Sequence, residues 1–242
     1  MIAFGTCVGG DGTKYRERSL PGIEGARGAG DLVLASPGDG GICSVYNRFV
    51  EQAGPDCRAL VLMHDDVEIR DPEFRAKVLA AVDEPEVGVV GVVGGAGLAS
   101  LSWWDARRLA GHVEEPRGQV SFPDVEADVD ACDGLMLILS RAALDQLRFD
   151  EETFPAFHGY DVDICLQARE AGLRVVTRSI DVMHWTKGGF GNQEAFDTAD
   201  AALRRKWPTW VKERGPLERV ARRGRNVVKR VSSKVRGREP GF

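Results

Sequence analysis

Residues 59–68 read ALVLMHDDVE, with four consecutive apolar residues, Leu60 to Met63, running directly into His64, Asp65 and Asp66. A short unbroken apolar run predicts a strand buried on both faces, as in a parallel sheet covered by helices. Polar residues at the carboxyl end of such a strand fall where open α/β sheets bind ligands. Two adjacent carboxylates there repel one another, and a bound cation would relieve the repulsion. Hard oxygen ligands suit Mg²⁺ or Mn²⁺. A solvated acidic turn after the strand accounts for the same residues.

Outward from this strand the pattern alternates. Residues 2–8 (IAFGTCV), 31–36 (DLVLAS) and 87–93 (VGVVGVV) predict further strands. The Gly-rich GGDG that follows the first strand matches no phosphate-loop spacing and reads mainly as a turn. A short helix and loop are expected over 14–28. Apolar residues at Ile42, Val45, Tyr46, Phe49, Val50 and Ala53 fall on one helical face. A second helix fits 73–82. This β, α, β order predicts an α/β protein with a mostly parallel sheet and flanking helices.

The second half is less regular. Residues 94–125 hold Trp103 and Trp104, several glycines and prolines, and no clear period, so they are expected to leave the sheet. The two tryptophans would form a ligand platform or pack the excursion down. Residues 129–139 (VDACDGLMLIL) predict one long strand interrupted at Asp133-Gly134, where a glycine can mark close approach of a ligand. Ser140 is an N-cap for a helix over 141–147. In FHGYDVDICLQAREAG a helix starts near Tyr160 and stops before Gly172, which puts Asp161 and Asp163 in its first turn. The two carboxylates either complement the helix dipole or include a general base. Short strands over 173–177 and 180–183 lead to His184 and Lys187, and a helix covers 192–207.

Composition is that of an ordinary globular chain, 43% hydrophobic and 29% charged over 242 residues. No apolar run approaches a membrane span, and the apolar start lacks a basic leader. The five cysteines form no CxxC pair, which predicts reduced thiols in a cytoplasmic protein and neither a disulfide frame nor a zinc site. Between Lys212 and Arg238 eleven Lys/Arg face two Glu, a net +9 against −5 for the chain, so the remainder carries −14. This basic tail, 208–242, reads either as an amphipathic helix on an anionic inner membrane face or as a solvated extension. It has no aromatic interleaving or nucleic-acid motif, so no nucleic-acid partner is expected.

Three stretches stand out together: HDDV at a strand end, YDVD opening a helix about 95 residues later, and His184 with Lys187 about 20 residues beyond. In this order they resemble the family 2 glycosyltransferases of GT-A fold, and within them the streptomycin-cluster glycosyltransferase-like subgroup. The chain departs from that pattern twice. His64 stands where the first acid of a DxD motif is usual, and Tyr160 stands in place of a Glu before the catalytic Asp. The resemblance implies a GT-A, Rossmann-like, mixed and mostly parallel sheet. A single domain over 1–207 would be divided into a nucleotide-binding half (1–95) and an acceptor half (96–207).

It also implies an inverting transfer from a nucleotide diphosphate sugar to the hydroxyl of a glycan, lipid-linked or small-molecule acceptor. Asp66 and His184 would hold Mn²⁺ or Mg²⁺. Val8, Ser36, Asn47, His64, Asp65 and Lys187 would contact the donor. Trp103, Trp104, Asp133, Gly134 and Tyr160 would line the acceptor site, and Asp161 would be the base. A non-catalytic sugar- or nucleotide-binding module and a nucleotidyltransferase are alternative readings of the same residues.

Overall fold

The computed structural model describes residues 1–186, 188 and 191–212. Lys187 and the basic tail beyond Lys212 lie outside the described residues.

In chain order the strands are β1 (Ile2–Val8), β2 (Leu32–Pro37), β3 (Ala59–His64), β4 (Val67–Ile69), β5 (Val87–Gly91), β6 (Val93–Ala96), β7 (Arg108–Glu115), β8 (Gly118–Ser121), β9 (Ala127–Val129), β10 (Ala131–Cys132), β11 (Met136–Ser140), β12 (Arg174–Thr177) and β13 (Val182–His184). The helices are α1 (Leu20–Ala26), α2 (Ile42–Ala53), α3 (Phe74–Val82), α4 (Arg141–Gln146), α5 (Tyr160–Glu170) and α6 (Gln193–Lys206).

The main sheet runs β2-β1-β3-β11-β5-β12-β9. β1, β2 and β3 are mutually parallel, β5 and β12 are parallel, and β11 and β9 run against their neighbours. The sheet is mixed and mostly parallel, as the apolar runs predict. Its central strands β3, β5 and β11 are buried almost throughout, because helices cover both faces. Phe4 stacks on Phe74 of α3 at 5.9 Å. The next residue, Gly5, faces Phe49 of α2. Successive strand residues point to opposite faces, so α2 and α3 lie on opposite sides.

A second sheet, β10-β6-β7-β13-β4 with β8 on β7, is absent from the sequence reading. The expected strand over 87–93 is two strands: the chain leaves the main sheet at Val92 and enters the second as β6. Residues 94–125, expected to be irregular, carry β7 and β8, which pair antiparallel from His112–Ser121 to Glu115–Gly118. The expected long strand over 129–139 is likewise broken. β10 pairs with β6, whereas β11 lies between β3 and β5. Asp133 and Gly134 occupy the break. Glycines and charges blur the alternation of these strands, and two of the pairings, β10 with β6 and β13 with β4, join segments distant in sequence.

The helical expectations hold closely. α2 spans 42–53 as its periodicity predicts. Ser140 caps α4 by accepting from the amide of Ala143. α5 starts at Tyr160, and Gly159, with φ of 96°, supplies the left-handed entry that other residues resist. Asn192 caps α6 through its side-chain oxygen.

The two carboxylates of the first turn of α5 serve different ends. Asp163 is buried and accepts from Trp207 Nε1 at 2.7 Å and Gln167 Nε2 at 2.7 Å, and it pairs with Lys206 at 2.8 Å. It therefore ties the end of α6 to α5. Removing one member of a buried pair leaves the other's charge uncompensated. Asp163→Ala is expected to lower unfolding free energy by about 3 kcal/mol in urea denaturation. Asp163→Asn, which still accepts the indole proton, should cost less.

Candidate active site

The site begins where β3 runs out of backbone partners. The amide of His64 donates to Leu135 O at 3.0 Å, and its carbonyl accepts from Ser19 Oγ at 2.9 Å. The chain then turns. Asp65 accepts the amide of Gly9 at 2.8 Å, so the end of β3 is tied to the Gly-rich loop after β1. Asp66 leads into β4, which pairs antiparallel with β13 so that Val67 lies opposite His184. That register brings His184 Nε2 to 3.4 Å from the Asp66 carboxylate. Lys14, delivered by the same Gly-rich loop, reaches Asp66 at 3.0 Å.

His64, Asp66 and His184 each offer a ligand atom, and these atoms lie within 4.8 Å of one another. Two imidazoles and a carboxylate are a competent donor set for a divalent transition metal. Burial alone would raise the Asp66 carboxyl, but His184 and Lys14 outweigh burial and hold it well below the usual carboxylate range. For His184 burial works downward, and Asp66 and Asp133 overcome it to raise the ring. His64 is lowered, chiefly by burial.

A second cluster faces it from α5. Asp161 accepts the amide of Gly134 at 3.1 Å. Its carboxyl is pushed up to about 7, first by burial and then by the neighbouring charge of Asp133. Asp133 is itself satisfied, by Trp103 Nε1 at 3.0 Å and the amide of Leu135 at 2.8 Å. Trp103 is buried, and Trp104 stands exposed beside Phe196 with ring centroids 6.0 Å apart.

Two cavities meet between the clusters. The larger, about 940 Å³, is lined by Val8, Gly9, Lys14, Asp39, Asp65 and Asp66 among others. The smaller, about 300 Å³, is lined by Trp103, Trp104, Asp133, Gly134, Asp161 and Phe196 among others. His64, Phe157, His158 and His184 line both.

The structure thus gathers Val8, His64, Asp65, Asp66 and His184 around one cavity, and Trp103, Trp104, Asp133, Gly134, Tyr160 and Asp161 around the other. Ser36 and Asn47 do not line the larger cavity. Among the described residues, Ser36 Oγ meets the carbonyl of Pro37 at 3.3 Å. Asn47 clamps the segment before α5, donating to Phe149 O at 2.9 Å and Glu151 at 2.7 Å and accepting from the amide of Phe149. Lys14 and Phe157 escaped the sequence reading. The GGDG loop was the signal for Lys14, and the exposed Phe157, in FHGYDVD, had none beyond its place before α5.

Two solved structures share this architecture. GalNAc-T7 with UDP, GalNAc and Mn²⁺ superposes with a TM-score of 0.58 at 10% identity, over 86% of this chain and 48% of that one. The mannosyltransferase PcManGT from Pyrobaculum calidifontis, in complex with GDP-Man and Mn²⁺, gives 0.52 at 12% identity, over 93% and 79%. The fold is that of the GT-A glycosyltransferases. In sequence, 199 residues are 36% identical to the streptomycin biosynthesis protein StrF of Streptomyces griseus, covering 78% of this chain and 68% of that protein. The profile of the glycosyltransferase like family matches residues 33–204, and the chain belongs to that family. It is a glycosyltransferase.

The raised Asp161 carboxyl has a cost in stability. Its folded value, about 7, lies above its ordinary 3.8, so between those values the unfolded chain releases the proton more readily. Stability attributable to this group is full below about pH 4, falls as pH rises to about 7, and is flat beyond. Asp161→Asn removes the buried charge and is expected to raise stability at pH 8 by about 1–3 kcal/mol. Melting temperatures of the two proteins should converge near pH 4 and separate by pH 8.

Proposed function

We propose that the chain is an inverting, metal-dependent transferase that moves a sugar from a nucleotide diphosphate sugar to an acceptor hydroxyl, with Asp161 as general base. The observation that carries this reading is the meeting of two cavities, one walled by an ionised Asp66 and one by an Asp161 poised near neutral pH. The donor would occupy the larger cavity, formed largely by the first 95 residues, with its anomeric carbon toward the shared His64 and His184. The acceptor would occupy the smaller one, formed mostly by residues beyond 96.

Asp66, His64 and His184 would hold the cation. Two imidazoles favour Mn²⁺ over Mg²⁺, which prefers oxygen ligands and its own waters. When bound, a divalent ion neutralises charge growing on the leaving diphosphate. Lys14 would release Asp66 and add positive charge to the same phosphates. On the opposite side the Asp161 carboxylate takes the acceptor's hydroxyl proton while that oxygen attacks the anomeric carbon and the bond to the diphosphate breaks. A single displacement of this kind inverts the anomeric centre. A general base near its own pKa at working pH contributes about 10²–10⁴-fold. Trp104, Phe157 and Phe196 offer apolar faces to the rings of a glycan or a small polar acceptor.

Binding is tested first by thermal shift with UDP, GDP, dTDP, CMP and ATP, each with and without Mn²⁺. Stabilisation by one nucleoside diphosphate that depends on Mn²⁺ is expected, about 2.7 kcal/mol at 100 Kd. A response to ATP alone would favour nucleotidyl transfer, and binding without turnover of any sugar nucleotide would favour a non-catalytic module. With the donor identified, kcat/KM should rise with pH and level above about 7, following Asp161. Asp161→Asn should lose at least about 10²-fold in kcat with donor affinity retained. Asp66→Ala should abolish the Mn²⁺ dependence of nucleotide binding.

A further inference from the structure

His64 and Tyr160 stand 96 positions apart, yet their side chains meet, with His64 Nε2 at 2.8 Å from the Tyr160 hydroxyl. The same hydroxyl lies 3.0 Å from Gly134 O. A phenol has one proton to give and a carbonyl can only accept. Both contacts are satisfied at once when Tyr160 donates to Gly134 and accepts from His64. His64 then carries its proton on Nε2 and keeps a lone pair on Nδ1. The surroundings hold this arrangement in place. Tyr160 is 3% exposed and its ring is wedged edge-on against Tyr46 and tilted against Phe149, with centroids at 5.6 and 6.3 Å. Gly134 admits the hydroxyl only because it lacks a side chain, since a Cβ there would overlap it. The amide of Gly134 in turn donates to Asp161.

We propose that Tyr160 is a positioning residue for the metal site: by accepting from His64 Nε2 it fixes the ring's orientation and tautomer, leaving Nδ1 as a ligand for a divalent cation beside Asp66 and His184. The proposal rests on the metal-dependent reading above. Ligating histidines commonly use their second nitrogen in this way, and loss of such a partner costs about 10–100-fold in metal affinity. The usual partner is a carboxylate or a carbonyl. A buried phenol does the same work here, and it sits one residue from the base, so the cation ligand and the base share Gly134 as a common support, through its carbonyl and its amide respectively. His64 and Tyr160, the two departures from the family pattern, are therefore a single contacting pair.

The test uses the full chain and Tyr160→Phe, which preserves the packed ring and removes only the hydroxyl. Mn²⁺ titration by calorimetry should show a Kd about 10–100-fold weaker in the variant. Separately, long-range ¹H–¹⁵N spectra of the metal-free protein report the tautomers of its four histidines, with His64 assigned by His64→Gln. His64 should show the Nε2–H pattern in the wild type and lose it in Tyr160→Phe. Equal Mn²⁺ affinity in the two proteins, with or without a fall in melting temperature, would overturn the proposal and leave the metal reading intact. So would an Nδ1–H pattern for His64 in the wild type, a measurement that needs no folded variant. If the wild type binds no Mn²⁺ at all, the metal reading fails and the proposal fails with it.

Discussion

The central strand β3 lies between β1 and β11 with both faces covered by helices, so each of its backbone groups must find a partner within the protein. It does so up to His64, whose amide and carbonyl are taken by Leu135 and Ser19. Beyond that point the chain cannot continue as a sheet strand and turns, which places three polar side chains at one edge. The remaining parts of the site are brought to that edge by other backbone pairings. The β4–β13 ladder carries His184 to Asp66, the loop after β1 carries Lys14 there, and the break between β10 and β11 presents Asp133 and Gly134 from the other side. The site depends on this saturation of the sheet more than on any one contact within it.

The same cleft holds two aspartates in opposite electrostatic states. Asp66 is partly buried but has Lys14 and His184 beside it, and these overcome desolvation and keep it ionised. Asp161 is half-buried and faces another carboxylate, and desolvation and that charge outweigh the backbone amides that favour its ionised form, so its carboxyl is pushed up to about 7. Two carboxylates of one residue type thus differ in their hold on a proton because their neighbours differ. Asp163, two residues from Asp161 on the same helix, is fully engaged by Lys206 and Trp207 and acts only to anchor α6. A one-turn stretch of α5 therefore carries both the proposed base and a structural clamp. The clamp ties α6, which carries Phe196, to the helix that carries Asp161.

Much of the main sheet was legible because β1, β3, β5 and β11 are short, mostly apolar runs bounded by turn residues, too short for a buried helix. The helices were equally legible: α2 shows its apolar stripe, Ser140 announces a cap, and Tyr160 opens a new period. The second sheet was not. Its strands contain glycines and charges, as in VGGA and RLAGHVEE, and it pairs segments from across the chain, such as Val67 with His184. The place of Asn47 in the fold was hidden for a related reason. A polar residue at the edge of an apolar helical face gives no sign of its partner, which is the backbone of Phe149, 102 positions away.

By itself the sequence determined that this chain is an α/β protein with an acidic strand end, a carboxylate pair at a helix start and a histidine beyond. Those features follow from local rules of burial, periodicity and capping, each confined to a few neighbouring residues. Only the tertiary structure decided which carboxylate faces the cleft, that His64 joins Asp66 and His184, and that the Tyr160 hydroxyl meets His64 Nε2. Protonation and ligand geometry are set by groups a few ångströms away in space but about a hundred residues away along the chain. No local pattern encodes such a distance, and the folded sheet creates it.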